Sequence, residues 1–301
     1  MTTDMITADA AGTWTLGDLT VNRIGFGAMR LPQSSGAAAF AADAAAGDRG
    51  RAIGVLRRAV ELGVNHIDTA AFYFSPLRSA NELINSALAP YADELVITTK
   101  VGPGRDPSGN FHWAEPGQLR GQVEENLRQL GRDHLDVVNL RLPAGAADSS
   151  LAEHFGALAD LRTAGLIRHL GISNVRAHHL AEARAIAPVV CVQNPYGIDS
   201  PAEDHAFVDA CGEQGVAFVP FFAIAGAGKE SGAAGGEGEH VRALAAARGV
   251  SVAQLRLAWT LNRGPHVLAI PGTGNPDHLV ENIAAGALRL SAEEMALLDS
   301  L

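Results

Sequence analysis

Residues 135–143 read LDVVNLRLP, and the fold turns on how that stretch is taken. Val137, Val138, Leu140 and Leu142 are branched or bulky and apolar, and they occupy both phases of a strand's alternation. A strand apolar on both faces belongs to a parallel sheet covered by helices, not to a half-solvated antiparallel one. Arg141 stands at its downstream end, just before Pro143. A permanent cation at the tip of an otherwise interior strand demands an explanation.

Outward from this stretch the pattern repeats. Apolar runs RIGFGAM, HIDTA, LVITTK, LDVVNLRL, RHLGISN, VVCVQN, AFVPFF and HVLAIPG alternate with helical segments. Ser79 with Glu82, Ser150 with Glu153, Ser200 with Glu203 and Ser291 with Glu294 have capping-box spacing, and Pro201 suits a first helical position. Gly63, Gly131, Gly165 and Gly215 close periodic segments where a left-handed residue is wanted. Eight strand–helix units predict a (β/α)8 TIM barrel over residues 1–301 as one domain. A doubly wound sheet is the alternative, but no G-x-G-x-x-G follows the first strand. TWTLGDLTV, residues 13–21, predicts a short N-terminal β-hairpin closing the barrel bottom. Residues 34–50, SSGAAAFAADAAAGDRG, predict a mobile flap on the top face.

Composition narrows the function classes. The 301-residue chain is 47% hydrophobic, enough for one large core, and its net charge of −10 argues against nucleic acid or an anionic membrane as partner. Cys191 and Cys211 show no C-x-x-C spacing, so a reducing cytoplasm is expected. Neither a signal peptide nor a membrane span is expected. No metal-ligand spacing occurs, and the adjacent His178 and His179 are expected to be surface residues.

In such barrels chemistry gathers at the C-terminal strand ends. There the sequence places Asp68, with Tyr73 in the following loop, then Lys100, Arg141, Ser173–Asn174, Gln193, Phe221–Phe222 and Pro271–Gly272–Thr273–Gly274. Singly, an Asp there is a turn former, a Lys a rim charge and a Tyr a packing residue. Together they make a chain: a carboxylate anchors a buried ammonium, and the ammonium lowers the pKa of a phenol otherwise too weak an acid.

HIDTAAFY, VITTK, IRHLGISN, VQN and IPGTGNPDHLVEN, in this order and spacing, resemble the aldo-keto reductases over nearly the whole chain. LDVVNLR, VCVQN and VPFF resemble the branch containing bacterial pyridoxal reductases. The resemblance implies a barrel binding NADP(H) across its top and reducing an aldehyde, pyridoxal to pyridoxine, with no Rossmann domain. It implies Tyr73 as proton donor, Lys100 and Asp68 as its support, and Ser173, Asn174 and Gln193 on the nicotinamide carboxamide. Phe221 would stack on the nicotinamide ring, and Gly27 and Met29 would face the cofactor. Gly272, Thr273, Gly274 and His278 would surround the 2′-phosphate, and Glu281 and Asn282 the adenine. Alternatives within the resemblance are a broad aldehyde reductase and a slow-turnover nucleotide-sensing barrel.

Departures from the family pattern matter too. The family's usual histidine at the end of the fourth strand is Arg141, which can donate but never exchange a proton. It is expected to clamp the carbonyl oxygen or an anionic group beside it; a structural pairing with Asp68 or a backbone carbonyl is the alternative. His278 stands where relatives often carry a firmer phosphate-binding cation, and Phe222 replaces a small polar residue at a pyrophosphate contact. Arg30, Phe74 and Trp113, with Phe111 and His112 beside it, are expected to form the substrate pocket.

Overall fold

The computed structural model describes residues 6–33, 46–106, 108, 110–146, 148–224 and 238–300. Seven strands lie side by side in chain order: Phe26–Gly27, His66–Asp68, Val96–Val101, Leu135–Arg141, Ile167–Ser173, Val189–Gln193 and Ala217–Phe218. Every neighbouring pair is parallel. Residues 266–270 take the eighth place. Val267 bridges Phe218 and Ala269 bridges Ile24. The Leu268 amide donates to the Phe218 carbonyl at 2.9 Å and the Gly25 amide to the Ala269 carbonyl at 2.8 Å. The ring closes, and the fold is the expected (β/α)8 barrel.

The double apolarity of residues 135–142 now has a cause. Val138 and Leu140 face the main core under the helices. Val137 faces inward, in a smaller cluster with Leu16, Val21, Val96, Cys191, Ala217, Val219 and Leu268. Leu16 and Val21 come from the hairpin of Thr13–Leu16 and Leu19–Asn22, paired antiparallel, so the hairpin plugs the N-terminal end of the barrel. Its turn is fastened by Asp18, which accepts from Arg168 at 2.7 Å and from His169 at 2.6 Å.

The barrel interior leaves no room beneath the mouth. A Cβ on Gly171 would fall 2.0 Å from Asn139 Oδ1 and 2.6 Å from Cys191 Sγ. Gly171→Ala is therefore expected to destabilise the protein by about 1–3 kcal/mol through overpacking. A thermal midpoint matching the parent's, in a melt followed by circular dichroism, would contradict this.

Helix ends divide into two groups. Gly63, Gly131, Gly165 and Gly215 adopt the left-handed φ expected of them, between 65° and 85°. Of the four serine boxes only Ser291–Glu294 forms as written. Ser79 is an N-cap, but its hydroxyl donates to Gln129 at 3.3 Å. Ser150 bonds Glu182 of a neighbouring helix, and that carboxylate also receives the Leu151 amide at 3.0 Å. Ser200 accepts from Gly197, and Pro201 is the N-cap instead of the first helical residue. For Ser79 and Ser150 a partner from another helix takes the hydroxyl, whereas Ser200 is held within its own loop. His179 likewise departs from expectation: it is buried, receiving the Arg176 amide and bonding the Ser149 carbonyl.

The expected flap at 34–50 lies outside the described residues, apart from 46–50. There Ala46 bridges Gln33, and the Asp48 carboxylate caps the helix Arg49–Glu61 by accepting from the Arg51 amide. No described helix is long and apolar enough to cross a membrane.

Candidate active site

Parallel register brings the strand-end residues into line. Arg141 pairs with Ser173, and Ser173 with Gln193, across three adjacent strands. One rung in from this row Asn139 pairs with Lys100, and Asp68 lies beside Thr98. Residues from five strands thus converge on the C-terminal mouth by hydrogen-bond geometry alone.

Asp68 and Lys100 are each 3% exposed. Lys100 Nζ meets Asp68 Oδ1 at 2.5 Å and donates to the Thr69 carbonyl at 3.1 Å. The other oxygen, Oδ2, accepts from Gln193 Nε2 at 2.8 Å. The ammonium also lies 5.0 Å from the centre of the Tyr73 ring. A turn sets Tyr73 in place: its amide donates to the Ala70 carbonyl, and its own carbonyl accepts from Ala80.

The electrostatics follow from burial first. Burial would lower the Lys100 ammonium, but the charge of Asp68 and then Tyr73 more than offset it, and its pKa is raised. For Tyr73, burial pushes the phenol up, and Lys100, then Arg141, pull the other way without prevailing. This corrects the expectation of a net lowering. The ammonium acts as anticipated, but on a phenol buried far enough that desolvation wins. Deeper in the barrel His66 is pushed down to about 4 by burial, with Asp68 opposing, so it is neutral where it contacts Thr98 Oγ1 at 3.1 Å.

Arg141 is held on two sides. Its Nη1 donates to Ser173 Oγ at 3.2 Å, and its guanidinium carbon sits 4.8 Å from the centre of the Phe221 ring. No carboxylate among the described residues lies within ion-pair distance of it, so the pairing with Asp68 weighed as its alternative role does not form. Two non-glycine residues among those described have left-handed φ: Asn174 at 59° and Phe222 at 64°. Asparagine tolerates this conformation; phenylalanine does not readily, and such strain concentrates where a chain is shaped for a task.

A cavity of about 700 Å³ opens at this mouth. Asp68, Tyr73, Lys100, Arg141, Asn174 and Gln193 line it, as do Gly27, Met29, Arg30, Phe111, Trp113, Phe221, Phe222 and Gly272. Phe74 does not. It lies in an adjoining space of about 360 Å³ with His112 and Arg105, whose guanidinium carbon is 4.4 Å from its ring centre. Ser173 is buried behind Arg141. Thr273, Gly274, His278, Glu281 and Asn282 lie off the cavity, in and after the loop leading to the helix Pro276–Ala284. Thr273 Oγ1 there accepts from the Asn275 amide, and His278 and Glu281 are exposed while Asn282 is buried.

Two contributors escaped the sequence reading. Phe72 lines the cavity and packs edge-on against Tyr73, ring centres 5.0 Å apart. Asn139 accepts from the Cys191 thiol beneath Lys100, at 3.2 Å. Phe72 neighbours Tyr73 in the AFYF stretch, so proximity was its one signal.

A (β/α)8 barrel with a tyrosine buried against an ammonium–carboxylate pair in the cavity at its strand mouth is the frame in which the chain's relatives are met. This chain belongs to the aldo/keto reductase family, whose model matches residues 23–301, and it is an oxidoreductase of that type. It is 42% identical over 297 residues to the pyridoxine 4-dehydrogenase of Escherichia coli (strain K12), covering 97% of this chain and 99% of that one. It is 36% identical over 295 residues to an uncharacterised oxidoreductase of Schizosaccharomyces pombe, covering 98% and 91%. A thermostable aldo-keto reductase solved with the inhibitor epalrestat matches at TM-score 0.75 and 28% identity, over 94% and 96% of the two chains. The aldo/keto reductase of Klebsiella pneumoniae, solved with NADP and acetate, matches at 0.73 and 28%, over 93% and 91%.

Proposed function

We propose that this protein reduces aldehydes with NADPH, and that pyridoxal, giving pyridoxine, is its preferred substrate, the reaction being reversible. The observation that carries the chemistry is the Lys100–Asp68 pair buried against Tyr73 in the cavity wall. The substrate rests on the near full-length likeness to a pyridoxine 4-dehydrogenase. The cofactor rests on the family and on the NADP-bound relative.

The residues at hand fit the cofactor's carboxamide, which offers an N–H donor and a carbonyl acceptor. Gln193 Nε2 is committed to Asp68, which leaves Oε1 a buried acceptor without a partner among the described residues. Ser173 Oγ accepts from Arg141 and keeps its own O–H to give. Bound NADPH supplies the hydride to the carbonyl carbon. The chain's own work is the proton and the charge. Tyr73 gives its phenolic proton to the carbonyl oxygen, and Lys100 beside it stabilises the phenolate left behind. Asp68 keeps Lys100 charged and Gln193 keeps Asp68 oriented. Arg141 offers fixed N–H donors to the carbonyl oxygen or to the phenolate that pyridoxal carries next to its aldehyde.

The test is a pyridoxal-dependent fall in NADPH absorbance with purified protein, alongside benzaldehyde. Pyridoxal should exceed benzaldehyde in kcat/KM; equality would refute the narrow substrate. Arg141→Met should lower kcat/KM for pyridoxal by about ten- to a hundredfold, the worth of a charge-assisted hydrogen bond, and for benzaldehyde by less. An equal loss on both would limit the clamp to the carbonyl oxygen. NADPH binding without turnover on any aldehyde would point to the sensing role.

A further inference from the structure

We propose that Arg141 makes the site discriminate between the two oxidation states of its cofactor, holding NADPH more tightly than NADP+ by electrostatic repulsion of the charged nicotinamide ring. The inference rests on the reading above that Ser173, Gln193 and Phe221 surround the nicotinamide.

The two residues that fix Arg141 are two that this reading sets against the nicotinamide. One guanidinium nitrogen is bonded to Ser173 at 3.2 Å, and its carbon lies 4.8 Å from the Phe221 ring centre. Ser173 and Gln193 are register partners on adjacent strands, so carboxamide groups and guanidinium share one row. The cation is therefore tethered where the ring would sit.

Among the described residues no carboxylate pairs with it. Asp68 is occupied by Lys100 at 2.5 Å, and those two neutralise each other. Among the described residues that line the cavity Asp68 is the one carboxylate, and Lys100 already pairs with it. Arginine cannot shed its proton at any working pH, whereas a histidine here would be neutral above about pH 7. The nicotinamide ring carries a positive charge when oxidised and none when reduced. At an effective dielectric near 20, unit charges roughly 8 Å apart alter a binding constant by about thirtyfold. The effect falls on NADP+ alone. It favours loading of the reduced form and release of the oxidised one, and by the same cycle it makes the bound couple a weaker reductant than the free one.

Titration of the full-length protein, followed by tryptophan fluorescence at pH 8, tests this without turnover. In the parent protein NADPH should bind at least about tenfold more tightly than NADP+. Arg141→Gln should bring the ratio close to one, chiefly by tightening NADP+. Arg141→Lys, which keeps the charge, should retain most of the ratio. The fragment 2′-phospho-ADP-ribose, which lacks the nicotinamide, should bind equally to all three. An unchanged ratio in Arg141→Gln overturns the inference, and so does a fragment whose affinity moves as NADP+ does. Gln193→Met separates this from failure of the underlying reading. It should weaken NADPH several-fold, and an unaltered NADPH affinity in that variant would mean the nicotinamide lies elsewhere, overturning both.

Discussion

Tyr73→Phe is expected to lower kcat for pyridoxal reduction by about two to four orders of magnitude, the usual worth of a positioned acid, and to leave NADPH affinity within about twofold. The change removes one oxygen from a ring whose packing remains. Phe72 stays edge-on at 5.0 Å, and the Lys100–Asp68 pair does not depend on the phenol. Steady-state rates with NADPH and pyridoxal, beside a fluorescence titration of NADPH, give both quantities. Activity above about a tenth of the parent's would assign the proton to another group. The pH profile is a second check, and its sign follows from burial. A phenol raised above its ordinary value of about 10 stays protonated through neutral and mildly alkaline solution. Reduction by the parent should thus be level from about pH 6 to 9, while alcohol oxidation, which needs the phenolate, should climb over that range. An alkaline limb for reduction centred below pH 8 would mean that Lys100 and Arg141 prevail over burial once the cofactor is bound.

What could be read beforehand depended on distance along the chain. Residues 135–141 announced a parallel barrel strand because burial on both faces leaves a local mark, apolar residues in both phases. The cation at its tip marked the mouth for the same reason. Glycine C-termini were legible because a left-handed residue is a local need. The serine caps were not, since Gln129 and Glu182 compete for Ser79 and Ser150 from distant segments, and the Gly197 amide takes Ser200 within its own loop. Asp68, Lys100 and Gln193 could be named from spacing and resemblance, but the bond from Gln193 to Asp68 spans 125 residues of chain and leaves no trace in either segment. The net direction of the Tyr73 shift was misjudged for a related reason. A charge nearby can be inferred from a lysine in the motif, but the depth of burial that outweighs it is set by the packing of the whole barrel mouth and leaves no mark in the motif.

Lys100→Met should cost stability as well as activity, and the two losses should separate on adding Asp68→Asn. The single change leaves the Asp68 carboxylate buried with only Gln193 to satisfy it. Breaking one partner of a buried ion pair costs about 3–5 kcal/mol, because the remaining charge is stranded. In a chain of this size that is a fall of roughly 10 °C in thermal midpoint. Neutralising the stranded group in the double variant should recover most of that loss, since two uncharged side chains avoid the desolvation that the ion pair had to offset. Turnover should not return, because the phenolate of Tyr73 would still lack a cation at its side; kcat should remain about a thousandfold down in both variants. The linkage has a definite sign. Lys100 has a raised pKa in the fold, so its stabilisation is complete below its ordinary value of about 10.5 and is lost as pH climbs through the folded value. The stability gap between the parent and Lys100→Met should hence be constant from neutrality to about pH 10 and narrow only above it. A double variant no more stable than Lys100→Met would show that the lysine's alkyl stem, not its charge, secures this part of the barrel. A double variant that regained turnover would remove Lys100 from the chemistry.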